Sequence, residues 1–170
     1  MDLQALWWIS LALSILAWGL VASRYVWPAL RSLPRSDGLR PLLLLHSFRF
    51  VGLSFLVPGV VSPDLPAAFA RPAAYGDFTS ALLALIALGL LRGRLGIPVV
   101  WLFNLVGSAD LLYAFYLGDR AGIALAPGQL GAAFYVVTLL VPLIIVTQGL
   151  VFLLLVRRST GLPPVRSSAA

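Results

Sequence analysis

Apolar residues along this chain fall into five long runs, separated by short segments where arginine, aspartate, proline and glycine gather. The runs cover residues 3–25, 41–57, 73–91, 97–117 and 131–156. Wound as α-helix at 1.5 Å per residue they reach about 25–39 Å, enough to cross about 30 Å of hydrocarbon if the shortest is helped by tilt or local thinning. The expected fold is therefore an all-α membrane protein, a bundle of about five transmembrane helices forming one domain over 1–158. The residues from 159 to 170, rich in small residues and proline, are expected to form a disordered cytoplasmic tail. The first run is too long for the apolar part of a signal peptide, and Asp2 stands where such a peptide carries a basic flank, so it reads as a retained helix.

Composition supports the same class. Of 170 residues, 61% are hydrophobic and 11% charged, with a mean hydropathy of +0.99, far from the balance of a water-soluble domain. A net charge of +6 could suggest a nucleic-acid partner, but the distribution of arginine points to the lipid bilayer instead. Arg24 at the end of run one, with Arg31, Arg35 and Arg40, gathers between helices one and two, Arg92 and Arg94 lie between three and four, and Arg157, Arg158 and Arg166 after five. The opposite ends carry Arg71 and Arg120 beside Asp2, Asp64 and Asp119. The positive-inside rule then predicts the N-terminus out and the C-terminus in, with a bacterial inner membrane as the expected location. Trp7, Trp8, Tyr75, Tyr116 and Tyr135 near one boundary, with Tyr25, Trp27 and Trp101 near the other, fit that frame.

Local signals refine the connections. Ser62-Pro63-Asp64 is a good helix start and Pro72 a good stop, which predicts a short interfacial helix in the outer loop between helices two and three. Asp77 after Tyr75-Gly76 reads as the N-cap of helix three. Pro142, midway along the fifth run, predicts a kink whose freed carbonyl is satisfied by a neighbour or water.

An ionisable side chain in hydrocarbon is expensive unless paired or hydrated, so polar residues inside the spans are the natural functional candidates. Those selected as ligand-binding candidates are His46, Arg49, Asn104, Asp110 and Gln148. At α-helical rise the first three and Gln148 lie about 8–12 Å from the inner boundary and Asp110 about 20 Å, a gap that one arginine side chain plus tilt closes into an ion pair. On one reading Arg49 and Asp110 pin the bundle together, Asn104 and Gln148 bond across helices, and His46 is a satisfied polar residue. On the other, the same layer is a pocket in which Arg49 holds a ligand, His46 exchanges protons, and the two amides orient it. Gly52, Gly89, Gly107 and Gly149 offer close helix approach, and Gly89-xxx-Gly93 could support dimerisation.

What is missing excludes much chemistry. Without cysteine there are no disulfides or thiolate metal sites, and without lysine no Lys-linked retinal. One histidine rules out bis-His haem ligation within a subunit and a His-rich di-iron site. No phosphate-binding glycine loop, His-Glu-x-x-His or nucleophile elbow occurs, and no metal site or further cofactor is indicated. Three readings follow. The first is binding or transport of a small lipophilic or anionic ligand through the polar layer; the second is a structural or assembly subunit that joins a membrane-protein partner or a second copy of itself. The third is a membrane enzyme using His46 as acid or base on a lipid-soluble substrate.

Overall fold

The computed structural model describes residues 2–157, so the expected tail lies outside the described residues. Every named element among them is helical, and five helices are long and apolar enough to cross a membrane: α1 (Leu3–Arg31), α2 (Arg35–Leu56), α3 (Ala67–Leu90), α4 (Gly96–Arg120) and α5 (Val136–Val156). The count expected from the apolar runs holds, and the chain has the character of an integral membrane protein. α3 packs along its length against α2 on one side and α4 on the other, while α1 lies against α5.

The windings of these helices answer to their sequences. α1 and α5 each contain a π-helical turn, Ala22–Val26 and Val136–Leu140, shortly before Pro28 and Pro142. A widened turn accommodates a residue that lacks an N–H and whose ring crowds the preceding carbonyls. The Trp18 indole N–H donates to the Leu139 carbonyl at 3.1 Å, one residue beyond the Thr138 carbonyl whose α-helical donor Pro142 lacks, and ties α1 to α5 at this level.

α2 changes winding midway, from α-helix over Arg35–His46 to 3₁₀-helix over Ser47–Leu56. With a rise of roughly 2.0 Å per residue in the 3₁₀ part, the helix extends about 38 Å, which removes the shortfall expected of the shortest apolar run. A three-residue period also sets Arg49, Gly52 and Phe55 in one line, continuing from His46, and all four are buried. Phe48, Phe50 and Val51 face outward.

Two expectations are corrected. The loop after α2 contains no separate short helix. α3 instead begins at Ala67, behind Pro66, and runs unbroken to Leu90 with Pro72 inside it. Pro72 is only the sixth residue of this helix, where the missing N–H and the ring disturb little more than the first turn. Asp77 is consequently no cap: it lies inside α3, far from the helix start. The loop is instead tied to the segment before α5, with the Ser62 N–H donating to the Gln129 carbonyl at 3.0 Å and the Ala132 N–H to the Val60 carbonyl at 2.8 Å.

Side-chain burial divides the interior into two apolar cores. One, near the arginine-rich end, is built on Leu39, Leu43, Ala84, Phe103, Val151 and Leu154; the other, near the Trp7 end, on Trp7, Leu11, Phe55, Phe69, Ala74 and Leu130. Between them in every helix from α2 to α5 come the buried polar residues, including His46, Arg49, Asp77, Ser80, Asn104, Thr147 and Gln148. Phe103 sits in this arrangement fully buried, edge-on to His46 with centroids 5.1 Å apart. Phe103→Ala is expected to lower stability in detergent by about 2–3 kcal/mol, less than in a soluble core because separated helices stay in an apolar medium. Leu105→Ala, at a position 61% exposed on the same helix, should leave the thermal unfolding midpoint nearly unchanged.

Candidate functional site

Arg49 is the largest fully buried side chain among the described residues. A guanidinium carries five N–H donors and keeps its charge, so in an apolar interior it must be surrounded by acceptors. α3 and α4 provide them. Nε donates to Asp77 Oδ1 at 2.9 Å, Nη2 reaches Asp77 Oδ1 at 2.8 Å and Asp110 Oδ2 at 2.6 Å, and Nη1 points at the Gly107 carbonyl at 3.5 Å. One arginine thus joins three helices. The pairing of Arg49 with Asp110, expected from their depths, is present, and Asp77 adds a second carboxylate to it.

These contacts require the backbones to approach closely, and each of the three helices supplies a glycine for it. A side chain at Gly52 of α2 would strike the Asp77 carboxylate, and one at Gly76 of α3 the Asp110 carboxylate. At Gly107 of α4 a Cβ would come within 2.9 Å of both Arg49 Nη1 and Gln148 Nε2. Each helix therefore contributes one charge and, one or three residues away, the gap that seats a neighbour's charge. Gly89 and Gly149, in contrast, have nothing within 4 Å where a side chain would go.

The other candidates form a second polar group that adjoins the first through Gln148. Gln148 Nε2 donates to the main-chain carbonyl of Asn104 at 2.9 Å, so the link between α4 and α5 runs to backbone rather than between the two amides. Thr147 Oγ1 donates to the Leu143 carbonyl at 2.8 Å and lies 3.0 Å from His46 Nε2. With the single hydroxyl hydrogen engaged, the His46 Nε2–H is the donor in that contact. His46 Nδ1, Asn104 Oδ1 and Gln148 Oε1 are buried without a protein partner.

Beyond the carboxylates, toward the Trp7 end, lies a cavity of about 110 Å³. Its inner wall is Asp77 and Asp110; its sides are Trp7, Leu11, Phe55 and Phe69; its rim carries Trp8, Phe115 and Asp119, all exposed. Of the five candidates only Asp110 lines this space. Arg49 stands behind the carboxylates with its side chain fully enclosed, and His46, Asn104 and Gln148 are not part of the wall. Among the described residues no cluster of three or more potential metal-ligating side chains occurs.

Asp77 is the residue that sequence reasoning assigned to a different role. The signal for its place was present in the run of small buried residues that follows Phe69 in α3, Ala70, Ala73, Ala74, Ser80, Ala81, Ala84 and Ala87, a seam at helical spacing with the one carboxylate, Asp77, in it.

This arrangement of spans and charges lies within a stretch recognised by a family model, Domain of unknown function (DUF8737), which matches residues 6–156. The chain belongs to that family. No curated protein and no solved structure matches it.

Removing Arg49 would leave two buried carboxylates facing each other without a cation. Arg49→Ala is expected to destabilise the protein by about 3–5 kcal/mol, the usual result of breaking a buried ion pair from one side. Asp77→Asn and Asp110→Asn added to Arg49→Ala should restore a large part of the thermal stability in detergent, because the like charges are then gone. A triple variant as unstable as Arg49→Ala would count against charge repulsion as the cause.

Proposed function

We propose that this protein is a small-molecule binding protein of the bacterial inner membrane, taking a small lipophilic ligand into the cavity that ends on Asp77 and Asp110. The observation that carries the reading is the joint presence of an aromatic-walled space and convergent polar groups at its base, the usual composition of a ligand pocket. At about 110 Å³ the cavity is smaller than the roughly 150 Å³ apolar cavity that accepts benzene, so it encloses at most a single ring, with any further group at the exposed rim. The lipophilic class is favoured over the anionic one because Arg49 is enclosed and fully engaged, leaving carboxylates as the charged groups an incoming molecule meets.

The same proposal includes an orientation, N-terminus outside and C-terminus in the cytoplasm, supported by the gathering of arginine at the facing ends of α1 and α2, in the α3–α4 connection and after α5. The cavity then opens in the outer half of the bilayer. Transport would require the ligand to pass the polar layer, whereas binding needs only the cavity.

Both parts are open to test. In lipid nanodiscs, 4-bromo-tert-butylbenzene or 4-bromophenyltrimethylammonium should quench tryptophan fluorescence by heavy-atom contact with Trp7 and Trp8, and Ala114→Phe, which fills the cavity, should reduce the quenching to that of simple lipid partitioning. Saturable quenching absent for both probes would refute the binding reading. Because the chain has no cysteine, Asp64→Cys and Ser32→Cys each introduce a single label site. An impermeant maleimide should label the first on intact cells and the second only after permeabilisation.

A further inference from the structure

The charge count of the cavity deepens the binding reading and rests on it. Arg49 brings one positive charge to two carboxylates, each pairing with it through one oxygen: Asp77 through Oδ1 and Asp110 through Oδ2. Among the described residues none donates a hydrogen bond to Asp77 Oδ2 or Asp110 Oδ1, and both side chains keep 12% of their surface open. A third carboxylate, Asp119, stands at the rim, and no arginine contributes to the lining. The space is therefore negative at its base and its mouth while its flanks are apolar and aromatic.

We infer that the natural ligand is a small lipophilic organic cation, an amine or quaternary ammonium with an apolar body, whose positive group lies against Asp77 and Asp110 and whose body lies among Trp7, Phe55 and Phe69. Three separate features agree on this class. The excess carboxylate finds its counter-charge in the ligand, where an unbalanced ion at this depth would be costly. The indole and phenyl groups of the wall supply apolar area for the body and aromatic rings of the kind that attract a cation. The enclosure of Arg49 behind the carboxylates removes the one contact that would favour an anion. Arg49 is a positioning residue in this scheme: it holds both carboxylates at the base and does not touch the ligand.

An isosteric pair of probes separates this inference from the broader one. 4-Bromophenyltrimethylammonium and 4-bromo-tert-butylbenzene differ in a quaternary nitrogen replaced by carbon, so shape is held constant while charge changes. With each affinity referred to the probe's concentration in the membrane, and the quenching of Ala114→Phe subtracted, the cation should bind at least tenfold more tightly to the wild type. Asp110→Asn keeps an acceptor for Arg49 but makes the cluster neutral, and should bring the ratio near one, while Asp119→Asn should lower it by a smaller factor. If Asp110→Asn does not fold, as judged by its thermal transition, Asp77→Asn carries the same expectation. Equal or tighter binding of the neutral probe would overturn the inference, meaning that the surplus carboxylate is already neutral, and would leave lipophilic binding standing. A cation preference that survives in a folded neutral variant would also overturn it. Absence of saturable binding by either probe would overturn both readings.

Discussion

A guanidinium buried in a medium without water has to be met by acceptors on several sides, and this demand organises the middle of the bundle. No single helix can provide acceptors in the fork geometry Arg49 needs, so α2, α3 and α4 are brought to one level, with Asp77 and Asp110 on two of them. Van der Waals packing between apolar helices in lipid is weakly directional and tolerates slippage along the helix axes. An ion cluster shared by three helices does not tolerate it. A shift of one turn, about 5.4 Å, would separate the charges in hydrocarbon. The glycines at 52, 76 and 107 belong to the same constraint, because the charges meet only where the backbones are free to come close.

The position of the cluster between two apolar cores also determines what the cavity is like. Arg49 draws the two carboxylates toward itself but takes only one oxygen of each, the other lying against Gly52 for Asp77 and Gly76 for Asp110, and both residues line the cavity at the Trp7 end. An interaction that serves stability thus presents a polar floor to an otherwise aromatic chamber. The second polar group, around His46 and Thr147, is buried and lies outside the lining of the chamber.

Much of this was legible in the chain. Five spans follow from apolar length alone, and the meeting of Arg49 with Asp110 follows from depth along two helices. Asp77 was not legible in the same way, because its reading depended on Pro72. A proline in a hydrophobic chain signals a helix end or merely an early helical position, and nothing local distinguishes the two when the helix starts only five residues before it. The 3₁₀ winding of Ser47–Leu56 was equally hidden: over so short a stretch an α-helix of 3.6 residues per turn also brings positions three apart, such as Arg49 and Gly52, close to one face, so their spacing does not separate the two windings. The pairing of Gln148 with the Asn104 backbone, rather than with its amide, depends on the gap at Gly107, which becomes meaningful only once α4 and α5 are known to be neighbours.

That winding joins two parts of the molecule that lie six residues apart. In the 3₁₀ form Arg49 and Phe55 occupy one edge of α2, the first facing the carboxylates and the second forming a wall of the cavity. Rewound as α-helix, at 100° rather than 120° per residue, the same stretch would carry Phe55 about a third of a turn off that edge and draw it about 3 Å toward Arg49. With the arginine anchored by two other helices, the whole displacement would appear at the phenyl ring. The cavity's width is in this sense geared to the helical pitch of a ten-residue segment.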